Sequence, residues 1–271
     1  MTAFTDELSA LGVRPNKALG QNFLCDEAAI ETIVSFIAEP GLPVIEIGPG
    51  LGAITLPLAK RGVRIACVEL DSKLSELLSG ELAPYPEARV VNADFLKTDI
   101  KELAASLGGG RVAVAGNLPY YITSPICTRL VNADAKISVM TLMMQTEAAE
   151  RFFAEPGDGN YGPLTVMAGL KYDIETVLNL SPSAYYPQPE VSSTVLGFKA
   201  TGAELPKGLF GLLKCAFAMR RKTLYNNLPA MGLTKRQAAQ VIEECGLPSA
   251  VRAEALTKEQ FAELALKIER L

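Results

Sequence analysis

The segment IEIGPGLGAIT (45–55) contains three glycines that could bring the backbone close to a ligand. Gly48 and Gly50 lack a Cβ atom, so the chain can turn tightly there and approach a bound molecule. With Ala53, the spacing also satisfies the degenerate dinucleotide pattern G-x-G-x-x-G/A. Glu69 follows Gly48 by 21 residues, a position from which a carboxylate accepts hydrogen bonds from ribose hydroxyls. The segment therefore predicts a site for a nucleoside-containing cofactor.

Three residues distinguish between possible cofactors. Pro49 has no backbone N–H, which is unfavourable where amides must cradle a pyrophosphate. Glu46 adds a negative charge near the loop, which would repel a diphosphate but not the sulfonium and α-amino groups of S-adenosylmethionine. Asp94 ends a predicted strand; it could cap the next loop, but the carboxyl ends of strands in open α/β sheets favour contact with a ligand, here an adenine amine. We therefore expect S-adenosylmethionine rather than NAD.

The segment AGNLPYYITSPI (115–126) carries groups suited to methyl transfer onto a planar amine. Asn117 offers an amide oxygen, and Pro119 holds the backbone of Leu118 extended. Acceptors on both N–H bonds of an adenine N6 favour a tetrahedral nitrogen, whose lone pair can attack a methyl group. Tyr120 can stack on the base, a contact worth about 1–3 kcal/mol. No strong base is needed, because the proton leaves after the nitrogen becomes cationic; a plain proline turn is the alternative interpretation.

The chain of 271 residues contains no histidine, which excludes several kinds of active site. Ser-His-Asp triads, Cys-His pairs and His-ligated zinc all need an imidazole. The five cysteines are widely separated and never in C-x-x-C spacing, so we expect neither structural disulfides nor a bound metal. No apolar stretch approaches 18 residues, and the first ten residues lack the pattern of a secretory signal. We expect a cytoplasmic protein without a membrane span.

The elements that must position these residues alternate between strands and helices. Helical segments run from Asp26 to Ala38, from about Leu51 to Gly62, and onward from Ser124-Pro125. Strand-helix alternation predicts an α/β fold with a doubly wound, Rossmann-like sheet. Apolar runs typical of strands covered on both faces occur at residues 43–48, 64–70, 89–94, 111–117 and 137–144, and two further strands, expected to close the sheet as an antiparallel pair, at 171–180 and 192–200.

The pattern changes at about Leu205 to helical periodicity, at residues 207–219, 234–245 and 258–270. We therefore expect two domains, a cofactor-binding domain at 1–200 and a small helical domain at 201–271. The first carries 15 Lys and Arg against 23 Asp and Glu, a balance of −8, and the second carries 11 against 7, a balance of +4. This asymmetry hints at an anionic partner, although alone it carries little weight.

These motifs together resemble the ribosomal RNA adenine N6,N6-dimethyltransferases of the KsgA type. The resemblance extends over nearly the whole chain, and many independent motifs in order are more specific than one glycine loop. The segments that carry it are KALGQNFL (17–24), the glycine loop with Glu46, CVELD (67–71), NADFL (92–96), GNLPYYITSPI (116–126), YGPLTVM (161–167), YYPQPEVSSTVL (185–196), AFAMRRKTLYNNL (216–228) and RAEALTKEQFAEL (252–264).

The resemblance implies a class I methyltransferase fold and the transfer of two methyl groups from S-adenosylmethionine to each of two adjacent adenosines near the 3′ end of 16S rRNA, in the immature 30S subunit. It implies that residues 117–120 hold the target base and that Tyr185, where relatives usually carry phenylalanine, is a second stacking ring. Lys214, Arg220, Arg221 and Lys222 match the family's most basic helix and imply RNA contact. The implied cofactor contacts are Asn22, Leu24, Gly48, Glu69, Asp94 and Asn117.

Three residues depart from the family pattern. Glu190 and Ser192 replace a Lys or Asn and an Asp, and Thr146 stands where Lys is usual. These changes weaken the attraction for phosphate beside the site without touching the cofactor chemistry. Nothing in the sequence indicates a dimerisation helix, so we expect a monomer.

Three other functions remain open from the sequence. The related large-subunit (23S) rRNA methyltransferases that confer macrolide resistance share the fold and cofactor, but they usually carry isoleucine in place of Leu118 and a different C-terminal domain. An NAD(P)-dependent oxidoreductase would use Gly48, Gly50, Ala53 and Glu69. It lacks an evident proton donor, although Tyr120 or Tyr121 could serve. A non-catalytic assembly factor would only bind pre-ribosomes, although the cofactor and base residues all being present argues against it.

Overall fold

The computed structural model describes residues 8, 11–16, 19–38 and 41–271. The chain forms two compact units, one of residues 1–149 with 174–199 and the other of residues 150–173 with 200–271. The second unit thus contains the C-terminal helical segment and also residues 150–173, which the sequence analysis had placed with the first domain. Lys17, Ala18 and Pro40, which belong to predicted motifs, lie outside the described residues.

The main sheet has the order β4-β3-β2-β5-β6-β9-β7 among the described residues. Strands β2 to β6 pair in parallel, and β9 runs antiparallel to β6 with β7 beside it. This confirms the predicted α/β sheet. The strands are β1 (Phe23–Leu24), β2 (Val44–Ile47), β3 (Ile65–Glu69), β4 (Ala88–Asn92), β5 (Arg111–Asn117), β6 (Lys136–Gln145), β7 (Tyr172–Leu180), β8 (Tyr185–Tyr186) and β9 (Ser193–Ala200).

The strand order reverses between β2 and β5. Strands β3 and β4 follow on one side of β2, and the chain then crosses to the other side of β2 to form β5. Loops that leave neighbouring parallel strands in opposite directions open a crevice at their carboxyl ends, and ligands of open α/β sheets bind there. The glycine segment follows β2 and the Asn117 segment follows β5. The topology therefore brings both predicted chemical segments to one crevice.

Three helices of the first unit begin after an aspartate that caps them, Asp26, Asp71 or Asp99, whereas the helix predicted to start at Ser124 begins at Thr123 without a side-chain cap. Asp26 accepts a hydrogen bond from the backbone N–H of Ala29 at 2.9 Å, as predicted for the helix that starts there. The next helix begins at Thr55 rather than near Leu51, because the glycines before it hold positive φ angles that no α-helix contains. The helices described are Glu27–Ile37, Thr55–Lys60, Ser72–Glu81, Ile100–Ser106, Thr123–Val131 and Thr146–Glu150.

The core of the first unit explains the apolar runs in the sequence. Every residue of β2 and β3 is buried, and β5 and β6 are buried except at their ends. The helix Glu27–Ile37 turns Ile33, Val34 and Ile37, all fully buried, towards the same core. Strands covered on both faces need no polar alternation, which is why their sequences are continuously apolar.

The second unit is helical, and residues 150–173 contribute to its core. The hydroxyl of Tyr161 donates a hydrogen bond to the carbonyl oxygen of Leu256 at 2.7 Å, and its ring lies 6.1 Å from that of Phe217. Phe217 in turn lies 5.6 Å from the fully buried Phe261. The helices are Pro163–Lys171, Leu209–Ala218, Leu224–Asn227, Lys235–Glu244 and Lys258–Ile268. Of the helices in the described ranges, none is long and apolar enough to cross a membrane.

Candidate active site

A cavity of about 900 Å³ opens at the carboxyl ends of β2, β3 and β5. It is formed by the first unit alone and joins the glycine segment to the Asn117 segment. Its volume is in the range of small-molecule and cofactor sites. Of the residues predicted for the cofactor and the base, the cavity wall contains Asn22, Leu24, Gly48, Gly50, Glu69, Asp94, Asn117, Leu118, Pro119, Tyr120 and Tyr185.

The glycine loop approaches the cavity with its backbone. Gly48 has a φ of 62°, and a Cβ atom there would meet no atom within 4 Å. Gly50 has a φ of 58°, and its N–H donates to Glu69 Oε2 at 3.1 Å. The ring of Phe23 covers Gly50 so closely that a Cβ atom would lie 3.2 Å from it. The left-handed backbone therefore favours glycine at both positions, and the ring of Phe23 favours it further at Gly50.

Glu69 ends β3 and holds the glycine loop in place. Its second carboxylate oxygen accepts from the backbone N–H of Asp71 at 2.9 Å. The side chain is buried, and this burial raises the pKa of its carboxyl against the lowering effect of the two backbone donors. Each carboxylate oxygen has a second lone pair, so the group can still accept hydrogen bonds from a ligand's hydroxyls in the cavity.

Asp94 follows β4, where it caps the next segment and also lines the cavity. Its Oδ1 accepts from the backbone N–H of Leu96 at 2.9 Å and so caps the short 3₁₀ helix Phe95–Lys97. Its Oδ2 lies 3.7 Å from Lys97 Nζ, an exposed ion pair of little energetic weight. Asp94 also lines the cavity, so the local cap fixes the carboxylate where a ligand amine can reach it.

Glu46 does not lie in the cavity wall, which corrects the expectation that its charge faces the ligand. Its carboxylate is buried beneath the loop, where it accepts from Thr55 Oγ1 at 2.6 Å and from Cys67 Sγ at 3.8 Å. Burial raises the pKa of Glu46 to about 7, against the lowering effect of the Thr55 hydrogen bond. The side chain therefore joins β2, β3 and the helix Thr55–Lys60 instead of lining the cavity.

Asn117 ends β5 with its amide oriented by the N-terminal segment. Its Nδ2 donates to the carbonyl oxygen of Asn22 at 2.9 Å, which leaves Oδ1 as the acceptor. Asn22 is held in turn by β1, where Leu24 pairs with Tyr185 of β8. The segment 21–24, which is distant in sequence, thus orients the amide of Asn117 and closes one side of the cavity.

The residues after Asn117 form a fixed turn at the cavity wall. Leu118 is buried, and its N–H donates to the carbonyl oxygen of Met143 at 3.0 Å. The carbonyl oxygen of Pro119 accepts from Ile122 N and from Thr123 Oγ1, each at 3.1 Å. Tyr120 begins the short 3₁₀ helix Tyr120–Ile122, partly exposed in the cavity wall.

Tyr185 is 1% exposed, although it lines the cavity. Its hydroxyl donates to Met143 Sδ at 3.8 Å, and burial raises its pKa to about 12. The phenol therefore stays neutral at any physiological pH. The ring is almost wholly covered in this structure, and its role as a second stacking ring stays a prediction.

Two apolar residues of the cavity wall were missed by sequence reasoning. Leu70 follows Glu69 directly and is 51% exposed, which is unusual for a leucine beside a buried strand. Leu96 follows Asp94 at the next strand end. The sequence signal for both is their place one or two residues after a carboxylate at a strand end, where an apolar side chain can cover the face of a bound base.

The basic residues predicted for RNA contact do not form one helix, which is a second correction. The helix that contains Lys214 ends at Ala218, and Arg220, Arg221 and Lys222 lie in the turn after it. Arg220 donates to the carbonyl oxygen of Gly159 at 2.8 Å, and its Nε lies 3.5 Å from Glu254 Oε2, so part of its charge is used inside the second unit. The other three side chains are exposed.

The departures from the family pattern lie at the surface of the first unit. Glu190 and Ser192 are exposed, and Thr146 is partly exposed. Thr146 donates from its N–H and from its Oγ1 to the carbonyl oxygen of Ser192, at 3.1 and 3.2 Å. No cluster of three or more carboxylate or thiol side chains that could hold a metal ion occurs in the part of the chain that the structure describes.

Comparison with known proteins identifies the family. Residues 12–270 match the family "Ribosomal RNA adenine dimethylase". This chain belongs to that family. Over 264 residues it is 37% identical to the ribosomal RNA small subunit methyltransferase A of Desulfitobacterium hafniense, which covers 95% of this chain and 94% of the relative.

Two solved structures share the architecture over nearly the whole chain. A dimethyladenosine transferase from Plasmodium falciparum has a TM-score of 0.74 at 22% identity, covering 92% of this chain and 98% of its own. The 23S rRNA methyltransferase ErmE has a TM-score of 0.64 at 26% identity, covering 92% of this chain and 100% of its own. The identity to the small-subunit relative is higher than that to ErmE, so the large-subunit alternative is not favoured.

Family membership decides the type of chemistry. The enzymes of this family methylate adenine in ribosomal RNA and use S-adenosylmethionine as the donor, which confirms the predicted activity and cofactor. The cavity suits such a donor, because the loop at Gly48 is open to close approach and carboxylates stand at the ends of β3 and β4.

Proposed function

We propose that this enzyme transfers two methyl groups to each of two adjacent adenosines near the 3′ end of small-subunit rRNA. The observation that carries the proposal is the single cavity that joins the glycine loop and the carboxylates Glu69 and Asp94 to the oriented amide of Asn117. The 37% identity to a small-subunit methyltransferase over nearly the whole chain supports this rRNA as the substrate.

The cofactor half of the site uses the ends of β2 to β4. Gly48 and Gly50 allow close approach to the backbone, Glu69 accepts from ribose hydroxyls, and Asp94 accepts from the adenine amine of the donor. Asn22 and Leu24 cover the donor from the N-terminal side. S-adenosylmethionine supplies a methyl group on a positively charged sulfur. The buried Glu46 has an indirect role, since it fixes Thr55 and with it the helix after the loop.

The base half of the site uses the segment after β5. Asn117 Oδ1 and the main-chain carbonyl oxygen of Leu118 accept hydrogen bonds from the target N6, so its lone pair points at the methyl group. Pro119 holds this backbone in place, with its own carbonyl oxygen bonded to Ile122 and Thr123. Tyr120 and Tyr185 supply aromatic surfaces for the unstacked base. As the nitrogen gains charge, the oxygen acceptors stabilise it, and its proton then leaves to water.

The helical unit supplies the attraction for RNA. We propose that Lys214, Arg221 and Lys222, all exposed, contact phosphates, with a smaller contribution from the internally paired Arg220. Because the substrate is ribosomal RNA, we further propose that the enzyme acts in the cytoplasm on immature 30S subunits. We also propose that it acts as a monomer.

The proposal is tested by incubating the enzyme with methyl-labelled S-adenosylmethionine and either immature small subunits or large subunits. Nucleoside analysis of the rRNA is expected to give labelled N6,N6-dimethyladenosine from small subunits at two adjacent positions. Label confined to large-subunit RNA, or to N6-monomethyladenosine after exhaustive reaction, would contradict it. Gel filtration with light scattering tests the monomer.

A further inference from the structure

A buried serine contacts the aromatic residue of the base half of the site. The hydroxyl oxygens of Tyr120 and Ser193 lie 3.1 Å apart, although 73 residues separate them in sequence. Ser193 is 1% exposed, whereas the ring of Tyr120 is partly exposed in the cavity wall. The hydrogen bond thus connects the far end of a ligand-facing ring to the interior of the protein.

Ser193 is attached to a rigid part of the sheet. It begins β9 and pairs with Gln145 of the antiparallel neighbour β6. The next residue, Thr194, is bonded through its Oγ1 to Asn179 Oδ1 at 3.0 Å and to Thr146 Oγ1 at 3.1 Å. These contacts hold the backbone at Ser193 in place. Its hydroxyl can therefore hold the ring of Tyr120 through a hydrogen bond.

The second aromatic residue of the base site lies near the same serine. Burial raises the pKa of the Tyr185 phenol, and the neighbouring hydroxyl of Ser193 lowers it by a smaller amount. The Tyr185 hydroxyl itself donates to Met143 Sδ, whereas the hydroxyl of Ser193 is bonded to that of Tyr120, and both rings line one cavity. Ser193 itself is not among the residues lining this cavity, so any effect it has on the reaction acts through the rings.

We propose that Ser193 is a positioning residue that holds the ring of Tyr120 in the position needed to stack on the target adenine. The inference rests on the proposed function. The hydroxyl oxygen of a tyrosine lies on the long axis of its ring, so a hydrogen bond there restricts rotation about the Cα–Cβ bond and fixes where the ring points. Restricting the ring keeps the N6 nitrogen in line with the methyl group, and small misplacements of a reacting atom cost large factors in rate.

The test is a double-mutant cycle of Ser193→Ala and Tyr120→Phe, each of which removes one end of the bond while keeping the aromatic face. We expect each single variant to lower kcat by about tenfold and the double variant to lose no more than either alone. The affinity for S-adenosylmethionine, measured by calorimetry, is expected to stay unchanged. The control is Ser35→Ala, which removes an exposed hydroxyl from the helix Glu27–Ile37, outside the cavity wall, and is expected to leave kcat unchanged.

Two results would overturn the inference while leaving the proposed function intact. One is a Ser193→Ala variant with wild-type kcat; the other is a double variant whose loss is the product of the two single losses, about a hundredfold. A merely structural role would lower thermal stability and donor affinity and would not couple to Tyr120. If the wild-type enzyme forms no dimethyladenosine in rRNA, the proposed function fails and the inference fails with it.

Discussion

Asn117 shows how one side chain serves both halves of the site. Its amide nitrogen is occupied by the carbonyl oxygen of Asn22, so rotation of the amide group would break a hydrogen bond and place two oxygens in contact. The amide oxygen is therefore oriented before any substrate arrives. Acceptors fixed in advance stabilise a developing positive charge without reorganisation, which is the main way in which polar groups accelerate reactions.

Replacing Asn117 tests this role at the scale of one residue. Asn117→Ala removes an acceptor that matters most when the nitrogen becomes cationic, so we expect kcat to fall by about a hundredfold or more, as for loss of a single oxyanion-stabilising group. The dissociation constant of S-adenosylmethionine, measured by calorimetry, should change far less. A variant that binds the donor weakly but keeps the wild-type kcat at saturation would contradict the assigned role.

The elements around the glycine loop are joined by one buried carboxyl. Glu46 on β2 accepts from Thr55, the first residue of the following helix, and from Cys67 on β3. A short helix of six residues has little stability of its own, so this connection helps to fix its first turn behind the loop. The buried carboxyl of Glu46 therefore stabilises the position of the glycine loop.

The stability of this arrangement is expected to depend on pH. The pKa of Glu46 is about 7 in the folded protein against 4.5 as its reference value, so between these values the folded state keeps a proton that the unfolded chain has released. The contribution of Glu46 is therefore present at low pH and is lost as the pH rises towards 7.

The variant Glu46→Gln removes this titration and can still accept the Thr55 hydrogen bond. Urea unfolding at pH 5 and pH 8 should show the stability of the wild type falling, relative to this variant, by about 2–3 kcal/mol. Parallel pH profiles for the two proteins would show that Glu46 titrates normally.

The left-handed glycines after β2 offer a second prediction at this scale. Gly52 has a φ of 83°, and a Cβ atom there would lie 2.6 Å from Leu78 Cδ1 in the core. Gly62 has a φ of 74° with nothing within 4 Å, so it is a matched control. Both alanine variants should lose about 1–2 kcal/mol from the backbone conformation, and Gly52→Ala should lose about 1–3 kcal/mol more from overpacking. Equal losses in urea unfolding would contradict the close packing at Gly52.

On the scale of the whole molecule, charge is distributed unevenly. The protein has a formal net charge of −4, yet residues 201–271 carry four more basic than acidic side chains. An acidic enzyme must bind RNA through a local patch, because its overall field repels phosphate. The exposed residues of the turn after Ala218 are suited to this, since they are not buried in the core of the helical unit.

The salt dependence of RNA binding tests this patch. Each lost phosphate contact reduces the slope of log K against log salt, so Arg221→Ala with Lys222→Ala should make the slope shallower by about one to two. The control pair is Lys60→Ala with Lys136→Ala, two exposed lysines at the amino-end edge of the sheet, opposite the cavity, because Lys60 ends the helix before β3 and Lys136 begins β6. An unchanged slope in the first pair, or an equal change in both, would place the RNA elsewhere.

The sequence by itself determined the sheet and the positions of its strand-end residues. A strand that is buried on both faces is a short, continuously apolar segment, and a turn at positive φ favours glycine. Both patterns can therefore be recognised in the sequence alone. Glu69, Asp94 and Asn117 could be placed in one cavity because the carboxyl ends of parallel strands meet at one edge.

Only the tertiary structure decided which side chains meet across long distances in sequence. The position of Glu46 in the sequence, two residues before the glycine loop, is compatible with a side chain that faces the ligand or one that faces Thr55. Only the packing of β3 and the next helix shows that the side chain is buried against Thr55 and Cys67. The contact of Ser193 with Tyr120 and that of Asn22 with Asn117 likewise depend on how strands from distant parts of the chain are paired. Periodicity reports the burial of a residue but not the identity of its neighbour, and hydrogen bonds depend on the neighbour.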